Sequence, residues 1–153
     1  MTVFRIVKTK KATADLSGTG AYTYGGRWNN KGTYMVYTSE NSSLAFLENL
    51  VHQEESELPP DLYIAEIFFP DTAPLLSVPD KTYPPDWQHL ENVRCKQLGD
   101  HWMSSLEFMA VKVRSAVNPS EFNYLLNPLF PGFHDMIRVK KITPLPVDRR
   151  LVK

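Results

Sequence analysis

The stretch from Leu16 to Glu48 constrains this chain most, because it joins a glycine-rich loop, a short strand and a helix in immediate succession. Glycine permits positive φ and lets a ligand approach the backbone closely. Backbone amides left free in such a loop can also bind an anion. The loop has neither the P-loop pattern nor the G-x-G-x-x-G dinucleotide pattern in its proper context, so a different kind of binding surface is predicted. It holds five of the chain's seven glycines: Gly18, Gly20, Gly25, Gly26 and Gly32.

Three groups in this stretch are predicted to converge on one small volume. Arg27 lies in the loop, and Tyr37 lies on a strand predicted over residues 34–38. Glu48 lies on a helix predicted from Ser43 to about Gln53, which good N-cap residues precede. A cation, an aromatic ring and an acid are thereby brought together.

Glu48 is predicted to be a carboxylate that needs a partner. A helical wheel places it at the border of the apolar side of its helix, where an acid is desolvated unless something pairs with it. A snorkelling or salt-bridged side chain is the usual explanation for one such glutamate, but the upstream arginine and tyrosine favour a site. The wheel's apolar side consists of Leu44, Leu47, Leu50 and Val51, with Asn49, His52 and Gln53 away from it.

The rest of the chain predicts one α+β domain over residues 1–153, with short mixed or antiparallel strands and a few helices. Apolar alternation and β-branched or aromatic enrichment indicate the strands, and helical spacing followed by glycine indicates the helix. The predicted strands cover residues 3–7, 62–69, 108–113 and 136–142, and the helix covers 87–98 and ends at Gly99.

Proline, glycine and asparagine signals predict the connections. The predicted loops and turns are residues 12–32, 54–61 and 70–85, together with the Asn-Pro segments from 115 to 128.

Composition excludes several function classes. Seventeen basic and seventeen acidic residues cancel, so no global field favours nucleic acid or an anionic membrane. Cys95 is the only cysteine, which rules out an internal disulfide and a cysteine-built metal site. No apolar run reaches the length of a signal peptide or the ~18 residues of a membrane helix. We expect a cytoplasmic protein with no metal, no membrane contact and no direct nucleic-acid contact, and a solvated basic edge over 138–153.

The residues favour one chemistry over its alternatives. No nucleophile elbow surrounds a serine, and the four scattered histidines have no zinc-site spacing. Paired-carboxylate glycosidase chemistry stays open, although no pair stands out. An arginine, an aromatic and one glutamate suit a dinucleotide whose glycosidic bond breaks. Guanidinium binds phosphate bidentately, an aromatic face stacks on nicotinamide, and a carboxylate stabilises an oxocarbenium-like transition state.

The run LSGTGAYTYGGRWNNKGTYMVYTSENSSLAFLE, followed in order by GDHWM, VRSAVNP and EFNYLLNP, resembles the RES domain family. The resemblance implies a compact fold similar to ADP-ribosyltransferases and diphtheria-type toxins, acting on NAD+ as substrate with no other cofactor. It implies the toxin of a type II toxin–antitoxin module that depletes NAD+ by hydrolysis or phosphorolysis. It also implies a helix-turn-helix (Xre-like) antitoxin that blocks the active site, in an assembly with a toxin homodimer.

The resemblance also implies a role for each matching residue. Arg27 is expected on the dinucleotide phosphates or ribose, Tyr37 on the nicotinamide side and Glu48 on the ribose, as the catalytic set. Ser115, in the Arg-Ser-Ala segment, matches the family serine that closes the pocket. The further substrate-binding candidates are Arg5, Gly26, Trp28 and Asn127.

One departure from the family pattern lies beside Ser115. The family usually has a proline where this chain has Arg114, so the backbone is relaxed there and a cation is added near the pocket. The acceptor stays open between water, phosphate and a protein side chain. Two alternatives therefore remain: a mono-ADP-ribosyltransferase that modifies one protein, and a non-catalytic module that binds a nucleotide or a partner.

Overall fold

Alternating and β-branched segments build a seven-stranded sheet in the computed structural model, which describes residues 1–52 and 61–151. Four helices accompany the sheet in this described part, which confirms the α+β class. The strands are β1 (Thr2–Val7), β2 (Val36–Ser39), β3 (Asp61–Phe68), β4 (Leu75–Ser77), β5 (Ala110–Arg114), β6 (Phe122–Leu126) and β7 (Arg138–Pro146); the helices are α1 (Thr19–Tyr24), α2 (Ser42–Val51), α3 (Val93–Ser104) and α4 (Phe133–Met136).

The sheet order is β4-β5-β6-β2-β1-β3-β7, in which only β4 and β5 pair in parallel. The short strand β2 therefore lies at the centre, between β1 and β6. Its register places Tyr37 opposite Leu125 and Ser39 opposite Asn123. Because side chains alternate across a strand, these four residues share one face, although more than 80 positions separate the two strands.

The core divides into two clusters of buried residues. The first includes Val3, Val36, Ile67, Leu126 and Phe133, and the second includes Trp28, Met35, Cys95, Trp102, Val111 and Leu125. Trp28 anchors the glycine-rich loop in the second cluster, where its ring stacks on Trp87 and contacts Trp102. The glycine-rich loop is therefore attached to the core through Trp28.

Helix α3 continues past Gly99, so the prediction that this glycine ends the helix is wrong. A Cβ atom at Gly99 would lie 1.6 Å from the carbonyl oxygen of Trp28. The glycine is needed for close packing of the helix on the loop, and the helix ends only at Ser104. Asp100 holds the loop from the same turn, since its carboxylate accepts hydrogen bonds from the backbone N–H of Asn30 at 3.0 Å and from its Nδ2 at 2.8 Å.

Four other element predictions are wrong. Strand β4 lies within the predicted loop 70–85, and only its parallel pairing with β5 makes it a strand. Strand β6 lies where turns were predicted, because the two Asn-Pro pairs flank the strand and do not interrupt it. Helix α1 lies within the predicted loop 12–32, and α3 begins at Val93 instead of residue 87. The remaining bounds differ by one to four residues, and the turn over 54–61 lies, except for its last residue, outside the described residues.

Candidate functional site

A cavity of about 560 Å³ lies where the glycine-rich loop, α2 and the centre of the sheet meet. This volume is within the range of small-molecule and cofactor sites. Ser115 and Asn127 are absent from its lining, and a second cavity, of about 400 Å³ beside residues 14–17 and 134–139, holds no predicted site residue. The predicted site residues that line the large cavity are Arg5, Gly26, Arg27, Trp28, Tyr37 and Glu48.

The Glu48 carboxylate is held by two donors from different elements. Its Oε1 accepts a hydrogen bond from the Ser115 hydroxyl at 2.6 Å and another from the Asn123 amide at 2.8 Å. Both bonds are made to the same oxygen, and Oε2 has no hydrogen-bond partner within residues 1–52 and 61–151. Glu48 is therefore a fixed anion with one oxygen left to interact with a ligand.

Asn123, which the sequence analysis missed, is itself oriented by the sheet. Its Oδ1 accepts a hydrogen bond from the Ser39 hydroxyl at 2.7 Å, across the β2–β6 pair. This bond turns the amide nitrogen of Asn123 towards Glu48. The sequence contains a signal for this role, because Asn123 and Leu125 are two residues apart and would lie on the same face of a strand. The neighbouring Asn-Pro pairs instead led to a prediction of turns, so the strand was missed.

Ser115 lies beneath Glu48, with no exposed surface. Its hydroxyl donates to Glu48 and accepts from the backbone N–H groups of Val117 at 3.2 Å and Asn118 at 3.0 Å. The hydroxyl proton is therefore committed to the carboxylate. The structure places Ser115 as a support of Glu48, behind the wall of the cavity.

The orientation of α2 differs from the helical-wheel prediction. Leu47 and Val51, predicted to face the core, are 37% and 55% exposed. The side that faces the cavity carries Ala45, Glu48, Asn49 and His52. Leu44, which the wheel also placed on the apolar side, is 1% exposed. The wheel prediction therefore holds at Leu44 and fails at Leu47 and Val51, because small and polar residues of the same helix line the cavity.

Arg27 reaches the cavity wall with its charge unmatched by an acid. Its Nη1 donates to the backbone carbonyls of Trp87 at 3.0 Å and His89 at 3.1 Å. No carboxylate lies within ion-pair distance of Arg27 among the described residues. A guanidinium held by neutral carbonyls keeps its full charge available for an anionic ligand.

The Tyr37 hydroxyl forms hydrogen bonds with two residues of the glycine-rich loop. It accepts a hydrogen bond from the backbone N–H of Trp28 at 3.0 Å and donates to Asn29 Oδ1 at 2.7 Å. Burial raises the pKa of Tyr37, and the Trp28 N–H only partly opposes this, so the hydroxyl is neutral at physiological pH. Gly26 lies directly against it, where an added Cβ would be 2.6 Å from the hydroxyl oxygen.

Asn29 is a second residue that the sequence analysis missed. It is fully buried, and its amide nitrogen donates to the carbonyls of Ala21 and Thr33. These bonds cross-link the loop around the segment that presents Arg27. The Asn-Asn-Lys-Gly run reads as an ordinary turn, so its sequence contained no signal for this role.

The two remaining predicted residues, Arg5 and Asn127, lie in different places relative to the cavity. Arg5 lines the cavity, donates from Nη1 to the carbonyl oxygen of Asp15, and has its pKa lowered by burial, an effect that Asp15 partly offsets. Asn127 is fully buried, donates to the carbonyl of Met103 at 3.0 Å and accepts from the N–H of Leu129 at 3.1 Å. The structure thus places Asn127 as a link between the end of β6 and α3.

Arg114, which replaces the family's proline, is already paired. Its Nε lies 2.8 Å from Asp80 Oδ1, and its Nη1 donates to the carbonyl of Pro119 at 2.8 Å. The hydrogen bond between them raises the pKa of Arg114 and lowers that of Asp80. The extra cation therefore fastens segment 80–83 to the end of β5.

The lining of the large cavity has an excess of positive charge. A pocket of one sign concentrates ligands of the other sign, and the lining acids are Glu48 and Glu91. An anionic ligand that also offers hydroxyl groups to a fixed carboxylate fits this arrangement. The lining cations are Arg5, Arg27, Lys96 and Arg114.

Comparisons with known proteins agree on one family. The RES domain model matches residues 2–148. The chain is 36% identical to "Toxin Res" of Photorhabdus laumondii, over 100% of this chain and 98% of that one. It is 34% identical to "Prs ADP-ribosylating toxin" of a Sphingobium species, over 91% of this chain and 88% of that one.

A solved structure shares the fold. The crystal structure of the MbcT–MbcA toxin–antitoxin complex of M. tuberculosis contains a chain that matches with a TM-score of 0.71 at 18% identity, covering 95% of this chain and 84% of that one. Within residues 1–52 and 61–151, no helix has the length and apolar character needed to cross a membrane.

Proposed function

Because this chain belongs to the RES domain family, we propose that it is the toxin of a toxin–antitoxin module and that it cleaves the nicotinamide–ribose bond of NAD+. The observation that carries the proposal is the Glu48 carboxylate, fixed by Ser115 and Asn123 at the wall of a cavity with a positive lining. Relatives named as toxins, one of them as ADP-ribosylating, support it.

In this reaction Arg27 binds the pyrophosphate of NAD+. Its guanidinium offers paired N–H donors that match phosphate oxygens, and the carbonyls that now hold it are neutral. With the pyrophosphate anchored on Arg27, the ribose lies beside Glu48. This binding energy comes from a part of the substrate remote from the reacting bond and serves to orient it.

Glu48 acts on the ribose. Its free Oε2 accepts a hydrogen bond from a ribose hydroxyl, and its negative charge stabilises the positive charge that develops at C1″ of that ribose as the C–N bond lengthens. The electron pair of that bond goes to the pyridinium nitrogen, so nicotinamide leaves neutral and needs no general acid. With water as acceptor, the oxygen adds to C1″ and one proton is released, giving ADP-ribose.

Tyr37 and Trp28 form the nearby wall. Tyr37 stays neutral and keeps its hydroxyl on the backbone of the loop, so its ring is the part that can contact the nicotinamide. Trp28 is 2% exposed, and its ring holds the loop in the core. Neither residue has to gain or lose a proton.

The acceptor distinguishes the proposal from its main alternative, in which the chain transfers ADP-ribose to a protein. That alternative is favoured by the Sphingobium relative named as ADP-ribosylating. Incubating the purified protein with NAD+, with and without inorganic phosphate and with a cell lysate, identifies the acceptor by product mass. ADP-ribose or its 1″-phosphate in stoichiometric yield with nicotinamide supports bulk cleavage. Labelled protein with little loss of NAD+ supports the transferase, and no product in any arm contradicts both.

The partner is proposed to be a helix-turn-helix (Xre-like) antitoxin, which covers the cavity in a complex that contains two toxin chains. The solved toxin–antitoxin complex with the same fold supports an antitoxin of some kind. Expression of this chain alone in the cytoplasm is expected to stop growth, and co-expression of its helix-turn-helix antitoxin is expected to restore it. Growth unaffected by the chain alone would contradict the toxin assignment.

A further inference from the structure

We propose that Lys96 is a second phosphate-binding cation of the large cavity, and that Glu91 occupies the place of the phosphate on Lys96 until a ligand arrives. The proposal rests on the proposed function only in naming the anion as the pyrophosphate of a dinucleotide. Lys96 was not a predicted site residue, and its geometry sets it apart from every other lysine that the structure describes.

Lys96 is a buried cation in the contact between α3 and the glycine-rich loop. Its side chain is 11% exposed and lines the cavity, although lysine is seldom buried without a partner. It lies on the inward face of α3, three residues before Gly99 and seven before Met103, both of which are buried. Burial costs the solvation of the ammonium group, and its bond to the Gly26 carbonyl supplies no counter-charge, which points to an anionic ligand.

The ammonium group has few partners and no buried counter-ion among the described residues. It has three N–H donors, and the described residues supply two acceptors, the carbonyl of Gly26 and Glu91 Oε2 at 3.5 Å. The carbonyl is neutral, and the Glu91 side chain is 84% exposed. Ion pairs with such exposed partners contribute little. An anion in the cavity would supply both the missing charge and the missing acceptor.

Lys96 and Arg27 act on the same part of the cavity. Lys96 binds the carbonyl of Gly26, the residue directly before Arg27. Both cations are held by neutral carbonyls instead of by buried acids. The planar guanidinium of Arg27 and the ammonium group of Lys96 together suit two linked phosphates, since both residue types bind phosphate.

The segment from Asp86 to Glu91 supplies the acceptors that a ligand would displace. Its carbonyls at Trp87 and His89 hold Arg27, and its Glu91 carboxylate holds Lys96. Both end residues have left-handed backbone, with φ of 59° at Asp86 and 60° at Glu91, which is uncommon outside glycine. This one segment thus supplies carbonyl acceptors to Arg27 and a carboxylate to Lys96, and pyrophosphate exchanges with them.

The test is calorimetric binding of ADP, which carries the pyrophosphate and lacks the bond that breaks. Lys96→Met keeps the length of the side chain and removes the charge, and is expected to weaken ADP binding by about 10- to 100-fold. Glu91→Gln is expected to tighten it several-fold, because the competing carboxylate is gone. In the double variant the tightening is expected to disappear, which separates exchange on Lys96 from a general change of charge.

Controls tie the effect to phosphate and to this lysine. Adenosine binding is expected to be the same in Lys96→Met and wild type. Lys140→Met, an exposed lysine on β7 outside the cavity lining, is expected to bind ADP as wild type does. In turnover, Lys96→Met is expected to lower kcat/KM for NAD+ and to raise KM, because binding energy from the pyrophosphate is lost.

Each outcome decides the proposal. Equal ADP affinity in Lys96→Met and wild type, no ADP binding by wild type, or tightening by Glu91→Gln that survives in the double variant overturns it. Should Lys96→Met not fold, as judged by its thermal transition, Lys96→Gln carries the same expectation. Lys96-dependent ADP binding without nicotinamide release from NAD+ supports the anion site and contradicts the proposed function. Nicotinamide release together with ADP binding that does not depend on Lys96 supports the proposed function and contradicts the anion site.

Discussion

Glu48 is a single residue whose usefulness depends on how firmly two neighbours hold it. Ser115 and Asn123 each donate to one of its oxygens, and Ser39 in turn orients the Asn123 amide. A carboxylate fixed before the substrate arrives needs no reorganisation as charge develops, which is how preorganised groups lower a barrier. The residue-scale predictions concern this support and the Tyr37 hydroxyl.

Ser115→Ala removes one donor to Glu48 and also the acceptor of the Val117 and Asn118 N–H groups. We expect kcat for NAD+ cleavage to fall by about 10- to 100-fold, the loss of one hydrogen bond to a charged group, with KM little changed. Steady-state nicotinamide release measures both. The matched control is Ser120→Ala, at an exposed serine of the same turn. A variant at 115 with wild-type kcat would show that Glu48 needs no such support.

Tyr37→Phe removes a buried hydroxyl that serves two partners, Trp28 N–H and Asn29 Oδ1. We expect the free energy of unfolding to fall by about 1–3 kcal/mol, because both buried groups lose their partner. Tyr22→Phe, at a tyrosine that is 41% exposed, is the control and is expected to change it little.

The same tyrosine predicts a pH dependence with a definite sign. The folded-state pKa of Tyr37 is raised above the unfolded value, so its contribution is complete below about pH 10 and is lost as the pH rises further. Denaturant titrations at pH 8 and above pH 10 are expected to show a steeper loss of stability for wild type than for Tyr37→Phe. Parallel losses would contradict the raised pKa.

At the scale of elements, α3 fixes the position of the loop that carries Arg27. Gly99 admits the Trp28 carbonyl against the helix, and Asp100 binds Asn30. Motifs separated by about 70 residues in sequence are therefore one structural unit. The arginine of the site is placed by contacts that a local reading of the glycine-rich loop does not contain.

Gly99→Ala tests this packing. Alanine favours a helix by about 1 kcal/mol over glycine, but its Cβ would lie 1.6 Å from a backbone oxygen that cannot move alone. We expect the clash to prevail, lowering the thermal midpoint and the turnover together. Gly20→Ala, in α1 with no atom within 4 Å of the added Cβ, is expected to be neutral or stabilising. A Gly99→Ala protein as stable as wild type would refute the close contact.

For the whole molecule, sequence patterns were sufficient where a residue's role is local. The α+β class, the strands β1, β3 and β5, and the grouping of Arg27, Tyr37 and Glu48 follow from periodicity and from motif order. Patterns failed where tertiary pairing decides the structure. Strand β4 exists through its partner β5, and α2 turns its polar side inward because a cavity lies beneath it. Asn123 and Lys96 depend on the strand order and on helix packing, which one sequence does not display.

The central claim is that this cavity breaks the nicotinamide–ribose bond of NAD+ and that Glu48 is responsible. Nicotinamide release from NAD+ by wild type, Glu48→Gln and Glu107→Gln, an exposed acid outside the cavity, tests it most directly. Glutamine keeps the shape of Glu48 and removes its charge. The account predicts release by wild type and Glu107→Gln, and a loss of at least about 100-fold in Glu48→Gln. No release by wild type, or equal release by Glu48→Gln, would contradict it.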